Sequence, residues 1–203
     1  MRARDLMTAP VIAVQPWTTA KEAAELLSMH GFTALPVVDD DERLIGIVTE
    51  ADLIRGRIPA DPRHAHEHRE AAVAGKTVGD VMTSPATAMD SGTDVADLCQ
   101  ALVDARIRAM PIVDGSAVVG IVTRGDIVRV LAREDTDIAR DVKHRLEIYG
   151  GSGRWKIDVR DGYVHITDQF DDDTDRHVAQ LLALAVPGVV AADTAYAGEE
   201  QHR

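Results

Sequence analysis

The chain has few of the features that would point to a secreted or membrane protein. Its 203 residues include only seven aromatic side chains (two Trp, three Tyr and two Phe) and one cysteine, Cys99. A single cysteine cannot form an intrachain disulfide, so nothing favours an oxidising compartment. No apolar run reaches the length of a secretion signal or a membrane span. We therefore expect a cytoplasmic protein whose core consists mainly of Val, Ile, Leu, Ala and Met.

Positive charge is also scarce. Lys and Arg number 22 against 34 Asp and Glu, which gives a formal net charge of -12. This excess repels nucleic-acid phosphates and anionic lipid headgroups. We therefore expect no binding to nucleic acids, and we regard membrane association as disfavoured.

A tandem repeat is the main positive feature of the sequence. The heptad Gly-Ile-Val-Thr-Glu-Ala-Asp at residues 46–52 returns as Gly-Ile-Val-Thr-Arg-Gly-Asp at residues 120–126. We name these the first and second heptads. An opening of the form Asp-hydrophobic-Met-Thr-x-Pro precedes each one, at residues 5–10 and 80–85. Self-similarity at a fixed spacing indicates duplicated structural units.

Each copy has the pattern β-α-β-β-α. In the first copy we predict strands at residues 11–14, 34–38 and 44–48, a helix from a Thr19/Glu22 capping box to about His30, and a helix over 49–55. In the second copy we predict strands at residues 86–89, 110–113 and 118–122, a helix capped by Asp94, and a helix over 126–133. Each unit alone is too small for a good core. We expect the two to pack as one domain with pseudo-two-fold symmetry and a cleft along the join.

The segment between the copies contains His64, His66 and His68. Alternating histidines could bind a metal ion, because imidazole is a common ligand. A solvated linker that is partly helical is the preferred interpretation, because the sequence supplies no fixed set of further ligands. We therefore predict no metal site.

The pattern changes after Arg133 to α-β-β-α-β. We predict a helix at residues 137–149, strands at 155–160 and 163–166 joined by an Asp161-Gly162 turn, a helix at 174–185, a strand at 189–192 and a last strand near Tyr196. The fold class is thus a mixture of α/β and α+β: two packed repeats followed by a small separate domain.

The heptads have a geometry suited to a ribose-containing ligand. Thr49 and Asp52 are three residues apart at a helix start, so their side chains share a face. An ionised aspartate accepts hydrogen bonds from the two hydroxyls of a ribose, while the threonine hydroxyl and free helix amides can meet phosphate oxygens. The apolar walls for an adenine ring would come from six residues: Thr8, Ile12, Pro36, Thr83, Thr87 and Pro111. An equally good interpretation of one heptad alone is a capping box that needs no ligand.

The repeats resemble the CBS domain, and the pair resembles a Bateman module. The resemblance rests on the two openings, on the strands with Pro36 and Pro111, and on the two heptads. It covers residues 4–55 and 79–133, which leaves 56–78 as a linker. It implies a non-catalytic sensor that binds AMP, ADP, ATP, S-adenosylmethionine or an NAD-type molecule as a regulatory ligand, requires no cofactor, and forms a disc-like homodimer.

The resemblance also implies roles for individual residues. By position, the ribose contacts are Asp52 and Asp126, the ribose or phosphate contacts are Thr49 and Thr123, and the neighbourhoods of Thr8 and Thr83 line the base. Arg108 is similar to a phosphate contact of the family. Its counterpart Thr33 has no charge, so the two sites are expected to differ.

The tail, residues 137–198, resembles a BON domain. The resemblance rests on the strand-turn-strand segment at residues 161–166 and on the Val-Pro-Gly-Val-Val turn at residues 186–190. The resemblance implies an association with envelope proteins and lipid, but the acidic composition of this segment argues against an anionic membrane. We therefore interpret the tail as an interaction or output module with a protein partner, with a purely stabilising role as the alternative. Another alternative is a lipid- or protein-binding scaffold in which the repeats only dimerise and the tail makes the contact.

Catalysis is the least favoured class. His165, Asp168, Asp175 and His177 could serve as acid–base groups, but no nucleophile motif, metal cluster or glycine-rich phosphate loop accompanies them. The pattern places these four residues on solvated strand and helix faces.

Overall fold

The computed structural model describes residues 1–55, 57 and 76–200. The chain divides into two compact units, Arg2–Arg124 and Gly125–Arg203, the second of which also includes Met1. The three linker histidines lie outside the described residues, so the expectation about them stays a prediction.

The first unit contains both sheets of the tandem repeat. Its elements are a short 3₁₀ helix (Ala3–Asp5), α1 (Ala20–His30), β1 (Ala34–Val38), β2 (Leu44–Thr49), α2 (Glu50–Ile54), β3 (Met89–Asp90), α3 (Val95–Asp104), β4 (Ala109–Asp114) and β5 (Ala117–Thr123). The strand β1 pairs antiparallel with β2, and β4 pairs antiparallel with β5. The helix starts are as predicted: Thr19 and Glu22 form a capping box, and Asp94 accepts a hydrogen bond from the Ala96 amide.

The first strand of each repeat is shorter than the sequence predicts. Residues 11–13 are extended without a ladder, and only Val14 forms a parallel bridge, to Val37. Likewise, β3 begins at Met89 rather than at residue 86, and Met89 pairs with Ile112. In each repeat the next ladder bond would need a backbone N–H from Pro36 or Pro111, and proline has none.

The two repeats complete each other's sheets. Thr8 exchanges both backbone hydrogen bonds with Ile121 (2.9 and 3.2 Å), and Thr83 exchanges both with Ile47 (2.9 and 3.0 Å). The opening of one repeat therefore lies beside the last strand of the other. This reciprocal pairing supports the predicted packing of two copies into one domain.

The first glycine of each heptad makes room for the methionine of the other repeat's opening. A Cβ atom at Gly46 would lie 2.7 Å from Sδ of Met82, and a Cβ at Gly120 would lie 2.5 Å from Sδ of Met7. Both separations are far below van der Waals contact. The methionine of each opening thus packs against the first glycine of the other repeat's heptad.

The second unit contains the tail. Its elements are α4 (Arg124–Leu131, which begins at the last residue of the first unit), α5 (Asp135–Gly150), β6 (Trp155–Arg160), β7 (Tyr163–Asp168), α6 (Asp173–Leu184), β8 (Ala191–Tyr196) and α7 (Ala197–Glu200). The sheet has the order β6-β7-β8, with β7 and β8 parallel. The two strands predicted at residues 189–192 and near Tyr196 are one strand, β8.

The core of each unit is mainly aliphatic, as the composition predicts. The cluster around the first repeat consists of Val14, Ala20, Ala23, Leu27, Leu35, Val37, Val48 and Leu53, together with Val78 from the start of the second match. The tail buries Ile138, Val142, Leu146, Trp155, Val164, Ile166, Ala179, Ala183 and Val186. Among the residues that the structure describes, no helix has both the length and the apolar character needed to cross a bilayer.

The glycine–methionine contact gives a testable prediction. Gly120→Ala should lower the free energy of unfolding by about 1–3 kcal/mol, because the added methyl group overpacks against Met7. Chemical denaturation measures this loss. Met7→Ala in the Gly120→Ala background should recover part of the loss, since it removes the clashing atoms, and two strictly additive single losses would contradict the contact.

Candidate ligand-binding site

The first heptad forms the predicted helix start. Thr49 is the N-cap of α2, and Asp52 lies in its first turn. Asp52 Oδ2 accepts hydrogen bonds from the Thr49 amide (3.0 Å) and the Thr49 hydroxyl (2.6 Å). The Thr49 Oγ1 in turn accepts from the Asp52 amide at 3.4 Å. The capping box is therefore present, and it fixes the orientation of the Asp52 carboxylate.

The cap occupies only one oxygen of that carboxylate. Within the described part of the chain, the hydrogen bonds to Asp52 all reach Oδ2, and Oδ1 accepts none. A carboxylate has about four lone-pair sites. Capping and hydrogen bonding to a ligand hydroxyl are thus compatible roles for this residue.

The start of α2 has fewer free amides than expected, since among the described residues only the Ala51 amide of its first three has no hydrogen-bond acceptor. The Glu50 amide donates to the carbonyl oxygen of Thr33 at 3.2 Å, and the Asp52 amide is taken by Thr49. The reason is the β1–β2 pairing, in which Ala34 faces Thr49 and brings the Thr33 carbonyl to the start of α2. Sequence spacing gives no information on this contact.

The structure brings most of the predicted residues of the first site together, with one exchange of partners. Thr33 immediately precedes β1 and Pro36 lies within it, and β1 pairs with the strand β2 that ends in Thr49. Thr83, from the opening of the second repeat, pairs with Ile47, two residues before Thr49. The heptad of one repeat thus lies beside the opening of the other, so Thr8 lies beside β5 rather than beside β2.

The remaining wall residues differ in exposure. Ile12 packs against the first core, and Pro36 and Pro111 are buried in β1 and β4. Thr87 is exposed in the extended segment before β3. In each sheet, the strand with the proline pairs with the strand of the heptad, which pairs in turn with the opening of the other repeat. The paired residues are Pro36, Ile47 and Thr83 in one sheet and Pro111, Ile121 and Thr8 in the other.

The second heptad has different electrostatics. Asp126, in α4, is only 6% exposed, and its Oδ1 accepts a hydrogen bond from Nη1 of Arg129 at 3.0 Å. Thr123, the last residue of β5, is paired with Ala109. The Asp126 carboxylate thus forms an ion pair within its own helix.

An arginine that the sequence analysis did not single out contributes to the second repeat. Arg124, the fifth residue of the second heptad, donates from Nε to the carbonyl of Ile107 (2.9 Å) and from Nη2 to that of Leu102 (2.7 Å). Its amide donates to the carbonyl of the exposed Arg108 (3.1 Å). The only signal in the sequence is the difference in charge from Glu50 at the same place in the first heptad.

A separate cavity lies elsewhere in this unit. It measures about 480 Å³ and is lined by Val11, Ala13, Val14, Gln15, Thr18, Val38, Asp39, Asp40, Glu42 and Val118. None of these is a predicted ligand contact. The cavity is at the β1–β2 turn, at the opposite end of these strands from Thr49. In the described residues, no three His, Cys, Asp or Glu side chains are grouped to hold a metal ion.

Two β-α-β-β-α repeats that exchange their openings, each with Thr-x-x-Asp at a strand–helix junction, define a tandem-repeat module. Comparison with known proteins assigns the module to a family. The CBS domain matches residues 3–58 and 78–133. The chain belongs to the CBS domain family.

Relatives and solved structures agree with this assignment. CBSX1, a chloroplastic CBS domain-containing protein of Arabidopsis thaliana, is 33% identical over 134 residues, and the match spans 57% of each chain. The CBS domain pair of protein MJ0100, in complex with 5′-methylthioadenosine and S-adenosyl-L-methionine, has a TM-score of 0.54 at 27% identity, covering 64% of this chain and 94% of that one. CBSX2 in complex with AMP has a TM-score of 0.53 at 33% identity, covering 63% and 94%.

The tail follows the matched residues and contains the four groups considered as acid–base candidates. Asp168 is fully buried, so its placement on a solvated face is wrong. It accepts from Nε and Nη2 of Arg154, both at 2.8 Å. The alternation of Val164 and Ile166, both buried, already points Asp168 to the same inner face of β7.

Arg154 is the centre of a network of charges and rings. Its Nη1 donates to Asp175 at 2.6 Å, and Asp175 also accepts from the Tyr149 hydroxyl at 2.7 Å. The guanidinium lies 4.3 Å from the ring centroid of Trp155 and 5.2 Å from that of Phe170. The carboxylates considered for catalysis are thus engaged in holding the tail together.

The other two candidates do not join this network. His165 lies on the opposite face of β7, with Nδ1 3.1 Å from both carboxylate oxygens of Asp193. His177 is exposed on α6. The structure therefore does not group the four residues into one site.

The network shifts the pKa values of its carboxyl groups. Burial alone raises the pKa of Asp168, but hydrogen bonds from Arg154 and the Phe170 amide outweigh it, so the net pKa is lowered. The hydrogen bonds from Tyr149 and Arg154 lower the pKa of Asp175. A carboxyl group whose pKa is lower in the folded chain stabilises the fold above its unfolded pKa, near 4, and loses this contribution as the pH falls through the folded pKa.

The tail should consequently be less stable in acid. In a Trp17→Phe background, Trp155 is the single tryptophan and reports tail unfolding by fluorescence. The urea midpoint should fall as the pH is lowered from 5 towards 2. Asp168→Asn should lower the free energy of unfolding at pH 7 by about 3 kcal/mol, because it leaves Arg154 without its buried partner, and should flatten the pH dependence. Equal pH slopes for Asp168→Asn and the parent would contradict this role.

Proposed function

We propose that this chain is a non-catalytic sensor that binds an adenosine-containing ligand at its heptads. Membership of the CBS domain family supports the proposal, as do the AMP complex of CBSX2 and the S-adenosylmethionine and methylthioadenosine complex of the MJ0100 pair. The observation that carries it is the Asp52 carboxylate, which the cap orients through Oδ2 while Oδ1 is left open.

The ribose contact follows from this geometry. An unoriented aspartate loses side-chain freedom when it binds a hydroxyl, whereas Asp52 is already fixed by Thr49. A charge-assisted hydrogen bond from a ribose hydroxyl to Oδ1 then forms with little further ordering. Asp52 is proposed as the ribose contact of the first site, with Thr49 beside it.

The base and phosphate contacts come from the surrounding segments. In the first site, Pro36 and Thr83 lie on either side of β2, and Thr83 comes from the other repeat's opening. Pro111 and Thr8 are their counterparts in the second site. Ile12 and Thr87 are proposed to complete the walls. Phosphate is proposed to contact Arg108, which is exposed. Thr33 supplies only a neutral side chain, so phosphate-rich ligands should bind the two sites unequally.

The matched relatives are longer than the shared region. The chain spans 57% of CBSX1 and 56% of CBSX2, so the activity of those whole proteins is not carried over. We propose residues 4–55 and 79–133 as the repeats, 56–78 as the linker, and 137–198 as a BON-like output module that contacts a protein partner.

Dimerisation is proposed as a further property of the repeats. The helices α1, α2 and α3 expose Met29 (79%), Ile54 (60%) and Val103 (64%). Exposed apolar side chains on helices are typical of surfaces that a partner covers. Light scattering of the full chain should give twice the 21.9 kDa chain mass. Met29→Glu or Val103→Glu should shift the mass toward one chain, and a monomeric parent would contradict dimerisation.

Calorimetric titration with AMP, ATP, S-adenosylmethionine and NAD tests the ligand. At least one should bind with a micromolar dissociation constant, which is worth about 8 kcal/mol. Asp52→Ala should weaken binding at the first site by about 10- to 100-fold, since it removes a charged acceptor. Asp126→Ala tests the second site in the same way.

Two controls separate binding from folding. Asp41→Ala removes an exposed carboxylate from the β1–β2 turn of the same unit and should leave affinity unchanged. Asp52→Ala also removes a cap acceptor and should cost about 1 kcal/mol of stability, which thermal melting measures. Two outcomes would contradict the proposal: unchanged affinity in Asp52→Ala, or no heat when nucleotide-free parent protein is titrated with any of the ligands. Either outcome would mean that the heptads serve only as helix caps, and it would favour the scaffold function.

A further inference from the structure

The turn before the strand with the proline has the same backbone contact in both repeats. The amide of Glu50, the fifth residue of the first heptad, donates to the carbonyl of Thr33 at 3.2 Å. The amide of Arg124, the fifth residue of the second heptad, donates to the carbonyl of Arg108 at 3.1 Å. Thr33 lies between α1 and β1, and Arg108 lies between α3 and β4. The two repeats therefore have matched positions beside their heptads.

The same turns contain a second matched pair. Gly31 has a φ of +66° and Arg106 has a φ of +55°. This left-handed backbone suits glycine, and a residue with a Cβ atom is uncommon there. The backbone thus favours glycine at this point, and the second repeat has an exposed cation there instead.

The matched positions differ in charge. We name the three positions of each repeat its corner: the first corner is Gly31, Thr33 and Glu50, and the second corner is Arg106, Arg108 and Arg124. The first corner has one negative charge and no positive charge, whereas the second has three positive charges. Asp104, at the end of α3, offsets only one of the three. Arg55 and Arg129 follow the two heptads at the same place, so they add no difference of their own.

The side chain of Arg124 holds the second corner in place. Its Nε donates to the carbonyl of Ile107 at 2.9 Å, and its Nη2 donates to that of Leu102 at 2.7 Å. The turn between α3 and β4 is thereby fixed to the end of α3. Within the described part of the chain, Nη1 of Arg124 donates no hydrogen bond. The fixed guanidinium therefore keeps N–H groups for phosphate oxygens, which are strong acceptors of such charged donors.

The first corner suits a ligand of the opposite charge. Glu50 is exposed and directly follows Thr49, two residues before Asp52. Consecutive Cα atoms are about 3.8 Å apart, and charges at a protein surface act over about 8 Å at physiological salt. The Glu50 carboxylate is thus close enough to repel phosphate groups of a ligand at Asp52 and to attract a cation.

We propose that the two heptads select adenosyl ligands of opposite charge. The second heptad takes an adenosine polyphosphate, and the first takes a phosphate-free adenosyl ligand with a positive charge, such as a sulfonium. The inference rests on the proposed function, since it requires an adenosyl ligand at each heptad. Selection comes from like-charge repulsion of the wrong ligand as well as from attraction of the right one. One chain therefore binds one ligand of each kind at the same time.

Calorimetry of the full chain tests the selection with ligands that differ in charge. The parent should bind one ATP and one S-adenosylmethionine per chain, and neither should displace the other. ATP should bind about tenfold or more tightly than adenosine, because its phosphates gain hydrogen bonds from charged donors. S-Adenosylhomocysteine, which lacks the sulfonium charge, should bind more weakly than S-adenosylmethionine. Asp52→Ala should weaken S-adenosylmethionine and leave ATP unchanged.

Arg106→Gly tests the second corner without disturbing its backbone. The first repeat already has glycine at this left-handed position, so the variant should fold as the parent does, which circular dichroism checks. ATP affinity should fall by about tenfold, and S-adenosylmethionine affinity should stay unchanged. Arg43→Gln is the matched control, because it removes one positive charge from the β1–β2 turn of the same unit. Equal ATP affinities in the two variants would contradict the role of the second corner.

A gain of binding tests the first corner. The double variant Thr33→Arg/Glu50→Arg copies two positions of the second corner into the first. It keeps the backbone bond between residues 50 and 33, which uses no side chain. The variant should bind two ATP per chain and should bind S-adenosylmethionine at least tenfold more weakly. Loss of folding cannot produce a second ATP site, so this outcome supports charge selection directly.

The remaining outcomes distinguish charge selection from the ligand site itself. Competition of ATP and S-adenosylmethionine for a single site, or one ATP per chain in the double variant, would overturn charge selection and leave the sensor function intact. Failure of the parent to bind any of the adenosyl ligands would overturn both.

Discussion

Each sheet of the tandem repeat depends on a strand segment from the other repeat. The pairs Thr8–Ile121 and Thr83–Ile47 supply backbone hydrogen bonds that neither copy can form alone. The pairs Met7–Gly120 and Met82–Gly46 supply the packing around them. Opening and heptad are far apart within a repeat, yet in the folded chain each opening meets the other repeat's heptad. A substitution in the opening or the heptad of one repeat therefore affects the sheets of both repeats.

The geometry of Asp52 makes a helix cap and the proposed ligand contact compatible in one side chain. Capping satisfies backbone groups at the start of α2 with Oδ2 of Asp52 and leaves Oδ1 for a further donor. In the second heptad, Nη1 of Arg129 donates a hydrogen bond to Oδ1 of Asp126. The same motif thus has different surroundings in the two repeats, although an arginine follows both heptads, as Arg55 and Arg129.

The sequence predicted the local features well, because they depend on neighbouring residues. The caps at Thr19, Thr49 and Asp94 and the order of helices and strands follow from spacing and side-chain type. The exchange of openings and the contact of the Glu50 amide with Thr33 were not predicted, since they join segments that are distant in the chain. Asp168 was misplaced for a related reason: its buried position depends on Arg154, fourteen residues away, which neutralises its charge.

The prolines in β1 and β4 end the parallel ladder and so leave a carbonyl oxygen without its donor. Because Pro36 has no N–H, the carbonyl oxygen of Ile12, which would have received that bond, accepts no hydrogen bond in the described part of the chain. The backbone thus keeps a vacant acceptor beside a predicted adenine wall, and a base with an exocyclic amino group has the donor to fill it. Any other residue at position 36 would carry an N–H able to bond this carbonyl within the sheet, so the proline leaves the carbonyl available to another donor.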